Sequence, residues 1–328
     1  MKSRIYAVLA IKNGISQGYP FLEAIKSFLE WGDRLYISDG GSTDGTEEVL
    51  KRISKNKKIR LYTKQAWAPG KKHGTAIGEA FNHVLSLAKA DANKEKNVYF
   101  MEIQANEVIH EETYSQLKDL PDLYPQYKGY ILPYQVMVGP YLVDSAQWRL
   151  RMIPSKSDPI VMRDAVTLHP RKELSFKDFA AESAASTFRY LGLGLYHFRN
   201  IRRASYFYRI VPLSRPIFRY NYIFPGNLVD KSIGHAQMYK NIGVYSNMAD
   251  YITSLAKRRT GVKDFYYDLA ERYCSKEFWS SIAKSPRETS TKPVFIPTSS
   301  HPETMRDLLD QRRYEVREKI INGILRMD

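Results

Sequence analysis

Two hydrophobic periods alternate along the first 110 residues, and their order sets out a succession of strands and helices. The run IYAVLAI, from Ile5 to Ile11, is apolar and reads as the opening strand. After Lys12-Asn13-Gly14, the 3.6-residue spacing of Phe21, Leu22, Ile25, Phe28 and Leu29 predicts a helix over 20–31. The same reading gives strands at 34–38, 58–63 and 97–103 and helices at 45–54 and 75–90, a doubly wound parallel pattern. From about 112 to 200 the alternation becomes irregular, with strand-like runs at 129–138, 147–153 and 194–198. Beyond 200 the chain is rich in Arg and Tyr. It then predicts helices at 248–258 and 263–283, a Pro/Ser/Thr linker at 285–302 and a charged helix at 303–326. That last helix mixes Arg306, Asp307, Asp310, Arg312, Arg313, Glu315, Arg317, Glu318 and Lys319, the pattern of a solvated face laced with salt bridges. The expectation is therefore an α/β first unit over 1–200 and a basic, aromatic-rich, mainly helical extension over 201–328, without internal repeats.

The most informative punctuation lies in LYISDGGSTDGTEEVL, residues 35–50. Leu35, Tyr36 and Ile37 end at Asp39-Gly40-Gly41, and Asp44 precedes Glu47 by three residues, the spacing of a capping box. A ligand here would sit at the carboxyl end of a strand, beside the amides of a helix start. Asp44 is explained equally well as an N-cap. Asp39 ends the strand rather than starting the helix, so capping does not account for it. Gly70, Lys71, Lys72, His73 and Gly74 open the next helix, where positive charge and free amides suit a diphosphate, although a plain surface loop has the same composition.

Composition narrows the class. The 328 residues, 43% hydrophobic, suffice for a large core, and no stretch reaches the roughly 18 apolar residues of a membrane span. The amino terminus runs straight into the first strand, so a cytoplasmic protein is expected. Cys274, the single cysteine, excludes an internal disulfide. A formal charge of +15 raises three partners: nucleic acid, an anionic membrane face and an anionic substrate. Basic residues gather at 51–72 and around Arg199, Arg202, Arg203, Arg209, Arg215 and Arg219, the second group interleaved with Tyr and Phe. Such interleaving describes a solvated face with its aromatics in the core, a surface resting on phosphate headgroups or, less well, a base-stacking surface.

With its strand-helix-strand frame, the octet from Asp39 to Thr46 resembles the D-x-G-S-T-D-G-T turn of the family 2 glycosyltransferases. The resemblance covers about residues 4–200, and Ser300-His301-Pro302 is a weaker echo in the tail. It implies a GT-A fold, a Rossmann-like, doubly wound mixed sheet, and an inverting transfer of a sugar from a nucleoside-diphosphate donor, such as a UDP-sugar, to a hydroxyl on a glycan, lipid-linked or protein-linked acceptor. Asp39 would hold the base, main-chain groups of Ala10, Ile11 and Lys12 would line the same pocket, and Lys71 and Lys72 would face the diphosphate. The family's Asp-x-Asp element is matched by Gln104-Ala105-Asn106, so both expected carboxylates have become carboxamides. Asn106 and His197, the latter in GLGLYHFR, are the implied ligands of a Mn²⁺ or Mg²⁺ ion. That ion would be weakly bound, because hard cations favour anionic oxygen. Glu102, Gln104 and Asn106 share a strand face by period two, and Glu102 or Glu107 is expected to compensate for the missing charge. Lys71, Lys72 and Arg199 offer a metal-free alternative.

The general base implied by the family lies in QWRLRMIPSKSDPIVMRDAVTLH, where Asp164 fills the acidic slot, with Glu182 in FKDFAAES second. Asp158 reads as a turn residue before proline, and Trp148 and Arg149 as lining of the acceptor site or as core. Two other functions stay open: a degenerate fold of this type that binds nucleotide or glycan without turnover, and a basic nucleic-acid-binding protein.

Overall fold

The computed structural model describes residues 2–15, 17, 19–63, 75–138, 142–161, 168–170, 188–189, 209–221, 294–295, 298–310 and 313–327. Its first part is the predicted alternation: β1 (Arg4–Ile11), α1 (Phe21–Leu29), β2 (Arg34–Asp39), α2 (Thr46–Ile53), β3 (Ile59–Tyr62), α3 (Thr75–Ala92) and β4 (Val98–Glu102). The parallel order β3-β2-β1-β4 puts β1 in the middle, with every residue from Ile5 to Ile11 buried. Alternate residues of β1 serve two cores. Ile5, Ala7, Leu9 and Ile11 pack with α1, while Tyr6, Val8 and Ala10 pack with Ala80, Phe81, Val84 and Leu85 of α3. A strand covered by helices on both faces must be apolar throughout, which is why its period of two is invisible in the sequence.

The second part makes the sheet mixed. β6 (Tyr130–Val138) and β7 (Leu142–Pro154) form a long antiparallel pair, and β7 runs antiparallel beside β4. β12 (Ile217–Asn221) follows on β6, and β5 (Glu107–Val108) closes the far edge. Short strands β10 (Phe188–Arg189) and β13 (Val294–Phe295) pair with β7, and β11 (Arg209–Ile210) pairs with β6. β8 (Pro159–Val161) and β9 (Leu168–Pro170) form a separate two-stranded ribbon, and α4 (Tyr114–Leu123) links β5 to β6. This is the α/β, doubly wound mixed sheet that the sequence predicts. Among the described residues no helix is long and apolar enough to cross a membrane.

Beyond 200 the described segments differ from expectation in three respects. Part of the predicted linker is built structure: Val294–Phe295 is a sheet strand and Thr298–Ser300 a 3₁₀ turn. The charged helix at 303–326 is two helices, α5 (Glu303–Asp310) and α6 (Arg313–Leu325). They also bury a face that the charge pattern did not reveal, with Met305, Ile320, Ile321 and Ile324 entering the core shared with α1. The expected ion pairing is present at Arg52, whose guanidinium grips Glu318 with two 2.8 Å contacts. The helices predicted at 248–258 and 263–283 lie outside the described residues.

His301 docks this tail. Fully buried, it sits 2.8 Å from the Tyr220 hydroxyl and stacks on that ring, and its carbonyl accepts from Arg306 Nε. Burial first, then the charges of Arg306 and His110, push its pKa down to about 4. A histidine depressed in the folded state contributes stability above its unfolded pKa of about 6.5 and loses it as the pH falls towards the folded value. Stability is expected to drop by about 2 to 3 kcal/mol between roughly pH 6.5 and 4 from this group. Urea titrations across that range should show the slope in the wild type and a shallower one in His301→Gln.

Candidate functional site

The carboxyl ends of β1, β2 and β4 meet where the chain order reverses between β1 and β4, the place in an open α/β sheet where ligands bind. Ile11 and Asp39 are paired residues at the ends of β1 and β2, and the Gly40 amide donates to the Ile11 carbonyl at 2.8 Å. Asp39 is fully buried. Its Oδ2 accepts from the amides of Gly41 at 3.0 Å and Ser42 at 2.9 Å, and its Oδ1 accepts from the Ser42 hydroxyl at 2.5 Å. The strand-end carboxylate thus shapes its own glycine turn, a role that the capping argument did not anticipate.

That turn is laced to the loop after β1. Ser42 Oγ accepts from the Asn13 amide at 2.8 Å, Asn13 Oδ1 accepts from the Thr43 amide at 2.9 Å, and Thr46 Oγ1 accepts from the Ile15 amide at 3.0 Å. Asn13 takes a left-handed φ of 52°, a conformation Asn tolerates better than most residues. Ala10 and Ile11 are buried and Lys12 is half-buried at the lip. The capping box expected from Asp44 and Glu47 does not form. Gly45, at φ 90°, is the N-cap of α2, and Asp44 Oδ1 accepts from the Thr46 amide at 3.1 Å in a turn beside it. Glycine can occupy that left-handed position without steric cost, so the helix starts one residue later than the Asp44 pattern indicated.

The third wall corrects the strand reading. β4 stops at Glu102, so Gln104 and Asn106 belong to a turn and do not continue a strand face with it. Both glutamates expected to compensate for the carboxamides are paired with Arg151. Arg151 Nη1 lies 2.8 Å from Glu102 Oε1 and Nη2 lies 2.7 Å from Glu107 Oε1, and all three side chains are essentially without exposure. Glu107 Oε2 also accepts from the Gln104 amide at 3.0 Å, fixing the turn from inside. Burial pushes the Glu102 carboxyl up to about 7, Arg151 draws it back and Glu107 adds to the rise. Burial disfavours the charge on Arg151, yet the two carboxylates raise its pKa above the ordinary value. Its guanidinium also lies over the Tyr134 ring, 4.8 Å from the centroid.

Arg149, two residues before Arg151 on β7 and separated from it by the irregularity in the pairing with Tyr130 and Ile131, is 6% exposed. Burial lowers its pKa to about 10, and the charges of Arg219 and Arg151 push in the same direction. Arg219 stands opposite Glu107 in the β12–β5 pair, and the next amide, Tyr220 N, donates to the Asn106 carbonyl at 2.8 Å. Sequence reasoning missed Asn13, Ser42 and Arg151. The available signals were an Asn-Gly pair directly after a strand, and two arginines at alternate positions in an otherwise apolar QWRLRMI.

Among the described residues no three of His, Cys, Asp and Glu cluster so as to hold a metal ion. Gln104 and Asn106 offer neutral oxygens, so this turn suits a hard divalent cation poorly. Lys71, Lys72, Asp164, Glu182, His197 and Arg199 lie outside the described residues.

No family model matches the chain, and no curated protein matches it. Among solved structures it is similar to S. aureus TarS. The 1–349 form gives a TM-score of 0.37 at 9% identity, over 99% of this chain and 90% of that one. The same form in complex with UDP-GlcNAc gives the same values. A longer TarS structure gives 0.38 at 12% identity over 99% of this chain and 54% of that one, so the chain spans about half of that protein.

Proposed function

We propose that the protein is an inverting glycosyltransferase of the GT-A type, moving a sugar from a nucleoside-diphosphate donor to an acceptor hydroxyl. The observation that carries the reading is the Asp39–Thr46 turn, laced to the loop after β1 at the switch point of the sheet. An inverting transfer needs a held donor, a base for the acceptor proton and compensation for charge on the departing diphosphate. The turn and the lip formed by Ala10, Ile11 and Lys12 supply the first. Asp164 is the base, on the family resemblance. Lys71, Lys72 and the turn Gln104–Asn106 face the diphosphate. His197 and Asn106 are the residues that would hold a divalent cation, and the neutral Asn106 makes that hold weak. The acceptor is a glycan or a lipid- or protein-linked hydroxyl, and the excess of positive charge suits a site beside anionic headgroups in the cytoplasm.

A panel of nucleotide sugars, UDP-sugars first, tested by thermal shift with and without Mn²⁺, checks the donor reading, because a ligand of the folded state raises the melting temperature by mass action. No shift with any member would remove it. Donor hydrolysis or transfer then separates an enzyme from a fold that binds without turnover. Asp39→Asn is expected to weaken nucleoside-diphosphate binding by about 1 to 3 kcal/mol, since it replaces an acceptor oxygen with a donor. Unchanged affinity in a folded Asp39→Asn protein would take Asp39 out of the binding site and leave it only its turn.

A further inference from the structure

We propose that His301, acting through Tyr220, is a positioning residue for the Gln104–Asn106 turn, so that the tail of the chain sets one wall of the donor crevice. The value of the turn to a ligand rests on the donor-site reading, whereas the link from tail to turn does not.

The contacts form a short path. His301 Nδ1 lies 2.8 Å from the Tyr220 hydroxyl, and the two rings stack with centroids 5.8 Å apart. The same imidazole lies 5.9 Å from the Phe218 ring, which in turn stacks on Tyr220. Phe218 and Tyr220 are alternate residues of β12, so His301 backs one face of that strand. The backbone of β12 is committed to β5. Phe218 stands opposite Val108, Arg219 stands opposite Glu107, and the Tyr220 amide donates to the Asn106 carbonyl at 2.8 Å. Tyr220 therefore touches the tail through its side chain and the turn through its backbone.

The turn needs such support. It leads into β5, a strand of two residues at the edge of the sheet, and so short a ladder has few hydrogen bonds of its own to hold it in place. On the inner side Glu107 holds the Gln104 amide at 3.0 Å. Beyond β5 the tail grips the chain again, where Glu111 Oε2 accepts from the Glu303 amide at 3.0 Å and Oε1 from Arg306 Nη2 at 2.9 Å. Arg306 Nε donates to the His301 carbonyl at 2.8 Å, which joins this second grip to the first.

Chemistry separates positioning from packing. Apolar contact is non-directional, whereas a stacked and hydrogen-bonded pair fixes both the height and the orientation of the Tyr220 ring. His301 and Tyr220 are both buried, so a tyrosine hydroxyl deprived of the imidazole would carry its full desolvation cost.

Hydrogen exchange in the full chain at neutral pH, followed at the amides of Tyr220 and Glu107, tests the link without ligand or activity. The Glu107 amide donates to the Gln104 carbonyl at 2.9 Å and so reports on the turn itself. Tyr220→Phe removes only the hydroxyl and His301→Phe keeps a ring for stacking. Each should speed exchange at both amides about 10-fold and leave β1 unchanged. His301→Gln, which can still hold the hydroxyl, should recover part of the protection. Asn56→Ala is the control, because Asn56 Nδ2 donates to the Ile324 carbonyl at 2.7 Å and its loss loosens the tail at α6, away from β12. In calorimetry, nucleoside diphosphate should bind about 5- to 10-fold more weakly to both Phe variants and normally to Asn56→Ala. Tyr220→Phe deletes a single oxygen atom and keeps the test available should His301→Phe not fold. Unchanged exchange in the Phe variants, or equal acceleration by Asn56→Ala, overturns the proposal. So does a nucleoside diphosphate that binds the wild type and the Phe variants alike. A wild type that binds no nucleotide, with exchange that depends on His301, keeps the link and removes the donor reading instead.

Discussion

Arg151→Met is expected to destabilise the fold by about 3 to 5 kcal/mol, the usual cost of removing one partner from a buried ion pair. Arg151 is wholly buried between Glu102 and Glu107, so the variant would leave two unneutralised carboxylates a few ångströms apart in the core. Lysine is no substitute, because one ammonium cannot span two carboxylates as the planar guanidinium does. The loss should be strongly non-additive. Adding Glu102→Gln and Glu107→Gln removes both stranded charges, and the triple variant should return most of the stability, since a buried pair as a whole contributes little over neutral packing. Urea denaturation of the single and triple variants at pH 7 checks this. If the single variant loses less than about 1 kcal/mol, Arg151 is not the neutralising partner that its contacts indicate. The variant has a second effect, because Glu107 also holds the Gln104 amide. Ligands that use the Gln104–Asn106 turn should therefore bind more weakly even at temperatures where the variant remains folded.

That cluster also shows where sequence reading stops. The seven elements from β1 to β4 were legible because each is long enough to display its own period and is bounded by local signals such as Asn13-Gly14 and Gly40-Gly41. The carboxylates at 102 and 107 were legible as charges in an apolar context, but their partner comes from a strand more than forty residues later. No local pattern announces which arginine will arrive. β5, β10, β11 and β13 are two-residue strands formed by tertiary pairing, too short for any periodicity. The charged residues of the tail helices hid the four apolar ones that these helices bury. Met305, Ile320, Ile321 and Ile324 bury only because α1 offers them a face. Asp39 was singled out as more than a cap, and its bonds to Gly41 and Ser42 show that a strand-end aspartate has local work in the turn before any ligand arrives.

On the proposed reading the largest kinetic effect belongs to Asp164→Asn, expected to slow transfer by about 10² to 10⁴ while leaving donor affinity nearly intact. The reason is chemical. An acceptor hydroxyl must lose its proton as it attacks, and an amide cannot take it. Asp164 lies outside the described residues, between Val161 and Leu168 in the sequence. Val161 and Leu168 are buried against α3, and Asn82 grips Val161 twice, accepting from its amide at 2.8 Å and donating to its carbonyl at 2.6 Å. The test is clean because the amide is isosteric with the carboxyl group that it replaces. Donor binding by calorimetry and transfer by single turnover separate the two effects. Should Asp164→Asn transfer at the wild-type rate while Glu182→Gln is inactive, the base is Glu182, and the acceptor half of the resemblance has been aligned to the wrong carboxylate.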